Sequence, residues 1–192
     1  MQVNTKNEAN KKFESLKTEG MQWYPAWKDL STYINQTRGN FDQTPKRGKM
    51  IDHQILLDSH ATHASRILAS GMTSGMTSPS RPWFKLELDD KELSKYKPVR
   101  MWLDICTELM LSITADSNIY GVFQSMYEEI GIFGTACSIV LEDYKNIIRG
   151  RNFTIGEYFL GVDEAGYTDT FAREYNMTVR QCVASFGKEN CS

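Results

Sequence analysis

The apolar positions in the first part of the chain repeat with the spacing of one helix face. They are Phe13, Leu16, Trp23, Trp27, Leu30 and Ile34. Apolar residues three, four and seven positions apart fall on one side of an α-helix. Pro25 interrupts this stripe, and a proline is tolerated in the first turn of a helix but not in its interior. The pattern is compatible with one kinked helix, but we predict two helices in series, the second beginning at Pro25.

A second stripe follows a polar stretch. Residues 38–49 are rich in glycine, asparagine, proline and charge, which predicts a loop whose length fits either a hinge or an arm between subunits. Residues 51–72 then predict a largely buried helix, because their alanines and serines allow close approach to a neighbouring element. The residues on its inner face are Leu57, Ala61, Ala64, Leu68 and Met72.

A four-residue repeat comes next. The sequence Gly-Met-Thr-Ser occurs twice over residues 71–78, and Pro-Ser-Arg-Pro follows at residues 79–82. Two glycines and two prolines predict irregular backbone across this whole segment. Residues 83–88 then alternate between apolar and polar, which predicts a strand that ends at Asp89 and Asp90.

Two amphipathic helices are predicted in the middle of the chain. The first begins at Pro98 and ends near Thr114. Its apolar face is formed by Val99, Trp102, Cys106, Leu109 and Ile113. After a break at residues 115–117, the second helix ends at Gly131. Its apolar residues are Ile119, Val122, Phe123, Met126, Tyr127 and Ile130. We expect the two helices to form a hairpin.

The last third of the chain has the pattern of strands. Residues 136–141 form a short apolar run typical of a strand covered on both faces. Residues 158–162 and 167–173 flank the turn-forming sequence Asp-Glu-Ala-Gly, which predicts a hairpin. Thr178 and Gln181 have the spacing of a capping box for a final helix that ends near Phe186, at Gly187.

These elements predict an α+β fold and a single domain over residues 1–192, in which residues 1–20 form a loose N-terminal helix. We expect several helices from the first two-thirds of the chain to pack on one small antiparallel β-sheet. The strands of that sheet come from the segments around Trp83, Ile139, Phe159 and Phe171.

Composition and charge narrow the class of protein. The chain has 192 residues, of which 41% are hydrophobic and 24% charged, with a formal net charge of -2. Tight nucleic-acid binding needs clustered lysine and arginine, and the most basic stretch, residues 46–49, is short and lies in the predicted loop. Four dispersed cysteines are typical of a reducing compartment. The polar N-terminus and the lack of a long apolar run predict neither a secretory signal nor a membrane span.

The best candidate for a metal site is weak. His60 and His63 share a helix face, and Asp52, His53 or Asp58 can join them. Histidines that bind zinc on a helix are usually four positions apart, and no third ligand follows at a recognisable distance. We therefore predict structural or solvent-facing histidines and no metal ligand.

No catalytic or cofactor-binding residue is predicted either. Cys137 lies in the predicted buried strand, and the chain has no G-x-S-x-G elbow and no glycine-rich phosphate loop. The carboxylate pairs Glu128-Glu129 and Asp89-Asp90 are expected to be solvated. The residues thus predict a non-enzymatic protein that folds without a metal or a cofactor.

Aromatic residues are frequent in connecting segments, notably at Trp23-Tyr24 and Trp83-Phe84. Such residues can anchor a segment in the core. They can also form an interface, because tryptophan and tyrosine are enriched where protein surfaces meet. Both interpretations are open from the residues alone.

The segment LASGMTSGMTSPSRPWF, residues 68–84, resembles a hallmark of the head-to-tail connector (portal) family of short-tailed bacteriophages. That hallmark is a helix, a turn of small residues and a Pro-x-x-Pro-Trp-Phe strand. Residues 117–120, 133–136 and 156–178 are similar to the same family in the same order. The resemblance covers about residues 20–187.

The resemblance implies the outer, wing-like N-terminal part of a longer portal subunit, with stem and clip following Ser192. It implies a ring, typically dodecameric, at one capsid vertex of the virion, assembled in the cytoplasm of the bacterial host. DNA would enter and leave through this ring, and the tail would attach to it. The implied partners are further copies of the subunit, the capsid, scaffold, tail adaptor and terminase proteins, and transiently double-stranded DNA. No membrane, no cofactor and no catalysis are implied.

Two other classes of function are compatible with the residues. A metal-dependent hydrolase using His60 and His63 predicts a metal retained through purification and activity lost in His63→Ala. A generic helical interaction module predicts a small stable oligomer.

Overall fold

The computed structural model describes residues 2–39, 41 and 58–190, and its first helices follow the predicted stripe. Helix α1 spans Gln2–Met21 and helix α2 spans Tyr24–Tyr33, with Pro25 in the first turn of α2. The prediction of two helices in series is therefore confirmed. Most of the predicted loop over residues 38–49, and residues 51–57 of the next predicted helix, lie outside the described residues.

Helix α3, His60–Met76, continues through the repeat. The prediction of irregular backbone over residues 71–82 is wrong for its first half, because the helix includes Gly71 and Gly75. A glycine costs a helix only about 1 kcal/mol relative to alanine, and packing against a neighbouring helix outweighs that cost. The prediction of a largely buried helix is also wrong, because only a narrow side of α3 is covered. Ala69 is buried, but Leu68 is 49% exposed.

The segment after α3 is extended but belongs to no sheet. Residues 83–88 pair with no strand of the described chain, so the predicted strand there is wrong. The backbone N–H of Leu86 instead donates a hydrogen bond to Thr107 Oγ1 at 3.2 Å, which holds the segment against the following long helix. Before that helix comes the short helix α4, Lys91–Lys95, with the Asp90 side chain as its N-cap.

Helices α5, Lys97–Asp116, and α6, Ile119–Phe133, follow each other as predicted, and α6 contacts both α5 and α3. Helix α6 ends at Gly134, where φ is 76°, rather than at Gly131. Glycine adopts this left-handed conformation without strain. Gly131 has another role, because a Cβ there would lie 2.9 Å from Leu68 Cδ2 of α3.

The four strands form two separate hairpins rather than the one sheet predicted. Strand β1, Cys137–Asp143, pairs with β2, Ile147–Phe153, and β3, Tyr158–Val162, pairs with β4, Thr168–Arg173. Both pairs are antiparallel. The β3–β4 hairpin confirms its prediction. Strand β2 has no signal in the sequence, because residues 149–151 combine charge with glycine and interrupt the apolar alternation.

The main core lies where α2, the end of α6 and the connection between β2 and β3 meet. Its buried residues are Ile132, Phe133, Phe153, Ile155 and Tyr158. Trp27 packs against this cluster, and its Nε1 donates a hydrogen bond to the carbonyl oxygen of Phe133 at 3.2 Å. Helices thus pack on small antiparallel hairpins, which confirms the predicted α+β class.

Strand β1 and the last helix lie at the periphery. Val140 is 57% exposed, so the prediction of a strand covered on both faces is wrong. Helix α7, Val179–Phe186, has the predicted capping box and ends at Gly187, and a 3-10 turn at Lys188–Asn190 follows. Within residues 2–39 and 58–190, no helix is long and apolar enough to cross a membrane.

Candidate functional site

One carboxylate of α6 is fully buried. Glu129 is 0% exposed, although the sequence predicts a solvated pair with Glu128. That prediction is wrong because Glu129 lies four positions before Phe133 and seven after Val122, on the side of α6 that faces the core. This helical spacing is the signal by which the sequence distinguishes Glu129 from its neighbour.

Arg38 and Thr154 are the polar neighbours of this carboxylate. Arg38 Nη1 lies 3.5 Å from Glu129 Oε1. Thr154, between β2 and β3, also lies close to the carboxylate, and its Oγ1 accepts a hydrogen bond from the backbone N–H of Gly39 at 2.7 Å. Among the described residues, neither Glu129 oxygen has a well-aligned hydrogen-bond partner. We call Glu129, Arg38 and Thr154 the Glu129 centre.

Burial is the main cause of the raised pKa of Glu129. Desolvation raises the pKa of Glu129 to about 7, because it disfavours the charged form. The positive charge of Arg38 and the hydroxyl of Thr154 lower this pKa, and the neighbouring Glu128 and Glu157 raise it. Glu129 therefore exchanges its proton close to neutral pH.

The groups next to the Glu129 centre favour a structural role for it. Burial, followed by the charge of Glu129, raises the pKa of the Cys137 thiol. Burial also raises the pKa of Tyr158 to about 12. A thiol and a phenol that hold their protons are weak nucleophiles, and they pack the core beside the carboxylate.

Hydrogen bonds extend the Glu129 centre to the end of α2. Asn35 Nδ2 donates to Glu128 Oε1 at 2.8 Å. Ser31 Oγ donates to the carbonyl oxygen of Arg38 at 2.5 Å. These contacts join the residues after α2 to α6 and to the β2–β3 connection, so the centre fixes how α2 sits on the core.

The Pro-Trp-Phe segment, residues 82–84, packs against aromatic side chains of α6. We call Trp83, Tyr120 and Phe123 the aromatic seam. The Trp83 ring meets the Phe123 ring edge to face, with centroids 5.7 Å apart, and Trp83 Nε1 donates to Tyr120 Oη at 3.2 Å. Further along α6, the Tyr127 hydroxyl is within hydrogen-bond distance, 3.2 Å, of Thr77 Oγ1 at the end of α3. The small-residue turn and Trp83 thus anchor α3 and the extended segment to α6.

The two aromatic pairs of the connecting segments have different environments. Trp83 is half-buried in the aromatic seam, so the core interpretation applies to it. Trp23, between α1 and α2, is 59% exposed, so it does not anchor the core and the interface interpretation applies to it.

Asn118 holds the β1–β2 hairpin against the start of α6. Its Nδ2 donates to the carbonyl oxygen of Gly150, and its Oδ1 accepts from the backbone N–H of Gly150, both at 2.8 Å. A Cβ at position 150 would lie 2.8 Å from Ile119 Cδ1, so a side chain there would push the strand away. Asn118 belongs to one of the segments that carry the family resemblance.

Helix α5 turns its most apolar side outward. Trp102 and Leu109, which belong to the apolar face identified in the sequence, are 63% and 59% exposed. Met101 and Ile105 on the same side are 55% and 61% exposed. We call these four residues the α5 outer face. Exposed apolar surface of this kind is typical of a face that another part of the chain or another protein covers.

The buried side of α5 is less apolar than its outer face. It carries Leu103, Thr107 and Thr114. The hydroxyls of Thr107 and Thr114 donate to the carbonyl oxygens of Leu103 and Met110, one turn earlier, which satisfies these polar groups inside the protein. Periodicity identifies the most apolar side of a helix but not what covers it.

The histidines considered as metal ligands lie at the start of α3. His60 and His63 are both exposed, and Asp58 Oδ1 accepts a hydrogen bond from the backbone N–H of His60 at 3.0 Å. In the part of the chain that the structure describes, no three histidine, cysteine or acidic side chains come together to hold a metal. Asp52, His53 and the basic residues 46–49 lie outside that part.

Comparison with known proteins identifies the family of the chain, which its side chains alone do not. A family model of the bacteriophage head to tail connecting protein matches residues 6–192. The chain is 45% identical over 178 residues to the probable portal protein of Bordetella phage BPP-1, covering 92% of this chain and 32% of that protein. It is 38% identical over 182 residues to the portal protein of Salmonella phage epsilon15, covering 95% of this chain and 33% of that protein. The chain thus spans about a third of the length of these relatives.

Proposed function

Because this chain belongs to the family of bacteriophage head-to-tail connecting proteins, we propose that it is the outer, wing-like part of a subunit in a closed portal ring. The ring sits at one vertex of the capsid, where it admits double-stranded DNA during packaging, releases it during ejection and attaches the tail. The family match over residues 6–192 is the observation that carries the proposal.

The α5 outer face supports a role in assembly. Trp102 and Leu109 are exposed on one helix, and this apolar surface is one that another protein can cover. Contacts in a ring are heterologous, so each subunit needs two different and complementary surfaces. Twelve copies of the subunit would meet in this way, each also facing the capsid, scaffold, tail adaptor or terminase proteins.

The charge of the chain supports a channel that lets DNA slide. The formal net charge is -2, and lysine and arginine are dispersed along the sequence. A strongly cationic surface would hold the phosphates, whereas a nearly neutral or acidic one makes only transient, non-specific contacts. In this proposal the protein is a structural component of the virion, assembled in the host cytoplasm, and performs no catalysis.

The test is the mass of the assembly formed by the full-length subunit. Size-exclusion chromatography with light scattering should show a large closed ring, since each interface then approaches the ~1,600 Å² of a specific contact. The 192-residue chain alone should be mostly monomeric at micromolar concentration, because it carries only part of both contact surfaces. A full-length protein that stays monomeric or dimeric at every salt concentration would contradict the proposal.

A further inference from the structure

The connection between β1 and β2 exposes apolar side chains that nothing in the described chain covers. We call residues 144–147 the hairpin tip. Tyr144 is 103% exposed and Ile147 is 59% exposed. A tyrosine this exposed contributes nothing to the core, although the hairpin behind it is held firmly by Asn118.

The backbone of the hairpin tip is strained. Ile147 has a φ of 67°, in the left-handed region that a β-branched residue rarely adopts. Glycine or asparagine would form the same turn at lower cost. Because Ile147 is more than half exposed, burial in the core does not account for this backbone conformation, and the side chain is positioned for a contact beyond the described residues.

A cleft of complementary character lies at the opposite end of the hairpin. It has a volume of about 290 Å³ and lies between α1, the start of α2 and β3. Its apolar wall includes Leu16, Trp27 and Phe159, and its exposed rim includes Glu19 and Gln22. This volume is at the small end of the roughly 300–1,000 Å³ of ligand pockets, and it has room for one aromatic side chain.

The hairpin tip cannot reach the cleft of its own subunit. Thr135 lines the cleft, and strand β1, seven residues long, then leads away from it to Asp143. At about 3.3 Å per residue, β1 separates the two features by roughly 20 Å. A protruding group and a matching cleft at two places on one chain are what a heterologous contact between copies requires.

Charge also complements this contact. Lys145 follows Tyr144 in the tip, and Glu19 lies on the rim of the cleft, so the two can pair when the tyrosine enters. Opposite charges around an apolar centre fix the orientation of an interface.

We propose that Tyr144 of one subunit inserts into the cleft between α1 and β3 of the next subunit in the ring. The inference rests on the proposed function, because it names the surfaces through which neighbouring subunits meet. Ile147 and Lys145 contact the rim of the cleft around the inserted ring.

The test compares variants of the full-length subunit. Tyr144→Ser should raise the concentration needed for ring assembly about tenfold or more, as expected for an aromatic anchor at an interface. Tyr167→Ser is the matched control, since Tyr167 is a tyrosine next to the other hairpin turn and is 74% exposed. It should assemble like the wild-type protein. Thermal unfolding should be unchanged in both variants.

Disulfide trapping locates the contact. When Y144C subunits are mixed with Q22C subunits, oxidation should join the two positions between different chains, as read by mass spectrometry of the linked peptides. Y167C mixed with Q22C should give no such link. Wild-type rings without the link from Y144C to Q22C would overturn this inference and leave the proposed function standing. A wild-type protein that forms no ring would remove both.

Discussion

At the scale of one residue, burial raises the pKa of Glu129 above that of an exposed glutamate. Its neighbour Glu128 has the same side chain and accepts a hydrogen bond from Asn35, but is not fully buried. Two adjacent glutamates look alike in a sequence, and only their positions relative to the core side of α6 separate them. Composition alone predicts two solvated carboxylates here, whereas the helical spacing to Val122 and Phe133 places Glu129 on the core side.

The buried carboxylate makes stability depend on pH. Its folded pKa of about 7 lies above the ordinary glutamate pKa of 4.5, so the folded state binds the proton more tightly. The resulting stabilisation is fully present below pH 4.5 and is lost as the pH rises through 7. It amounts to about 3 kcal/mol from the size of the shift.

Glu129→Gln should remove most of this dependence. The neutral amide needs no proton to be buried, so the free energy of unfolding should exceed that of the wild-type protein at pH 8 by about 1–3 kcal/mol and match it more closely at pH 5. Urea denaturation at both pH values measures the difference. Glu128→Gln is the control and should retain the pH dependence of the wild-type protein. Equal slopes for wild type and Glu129→Gln would contradict the assignment.

At the scale of elements, regular patterns predicted position better than orientation. The stripe around Pro25, the two middle helices, the β3–β4 hairpin and the capping box of α7 all lie where the sequence places them. Helix α5 leaves its apolar face exposed, and within the described residues the segment at Trp83 joins no sheet. Periodicity records which side of an element is apolar, whereas its contacts depend on neighbours far along the chain.

Two substitutions on α5 test its orientation. Leu103→Ala should lower the free energy of unfolding by about 2–4 kcal/mol, because Leu103 is 8% exposed and its removal leaves a cavity. Trp102→Ser, next to it on the outer face, should change it by less than about 0.5 kcal/mol. Denaturant unfolding of the 192-residue chain measures both. A larger loss from Trp102→Ser than from Leu103→Ala would mean that the outer face is the buried one.

Two glycines of helices should respond in opposite ways to alanine. Gly71→Ala in α3 should stabilise the protein by about 0.5–1 kcal/mol, because nothing lies within 4 Å of the added Cβ and the unfolded chain becomes less flexible. Gly134→Ala should destabilise it by about 1 kcal/mol or more, because φ is 76° there. Thermal unfolding of the two variants gives the signs. Equal signs would contradict the continuation of α3 through the repeat or the end of α6 at Gly134.

At the scale of the whole molecule, the function is inferred from the family match and not from the chemistry of individual side chains. The described residues bring together no reactive set of side chains, and the buried polar groups connect helices to hairpins. Two of the segments that resemble the family have visible structural roles: Trp83 holds the segment after α3 against α6, and Asn118 holds the first hairpin. The α5 outer face and the hairpin tip expose apolar side chains that are available for assembly. No pattern in the sequence distinguishes these side chains from the apolar residues of the core.

The position of the protein in the virion tests the central claim most directly. An epitope inserted at residues 163–166, the turn between β3 and β4, should leave the fold intact because all four of these residues are exposed. Electron microscopy of phage particles decorated with an antibody to that epitope, after the capsid is opened, should then show label at one vertex of each particle, where head and tail join. Label spread over all vertices, or confined to the distal tail, would contradict the role of a head-to-tail connector.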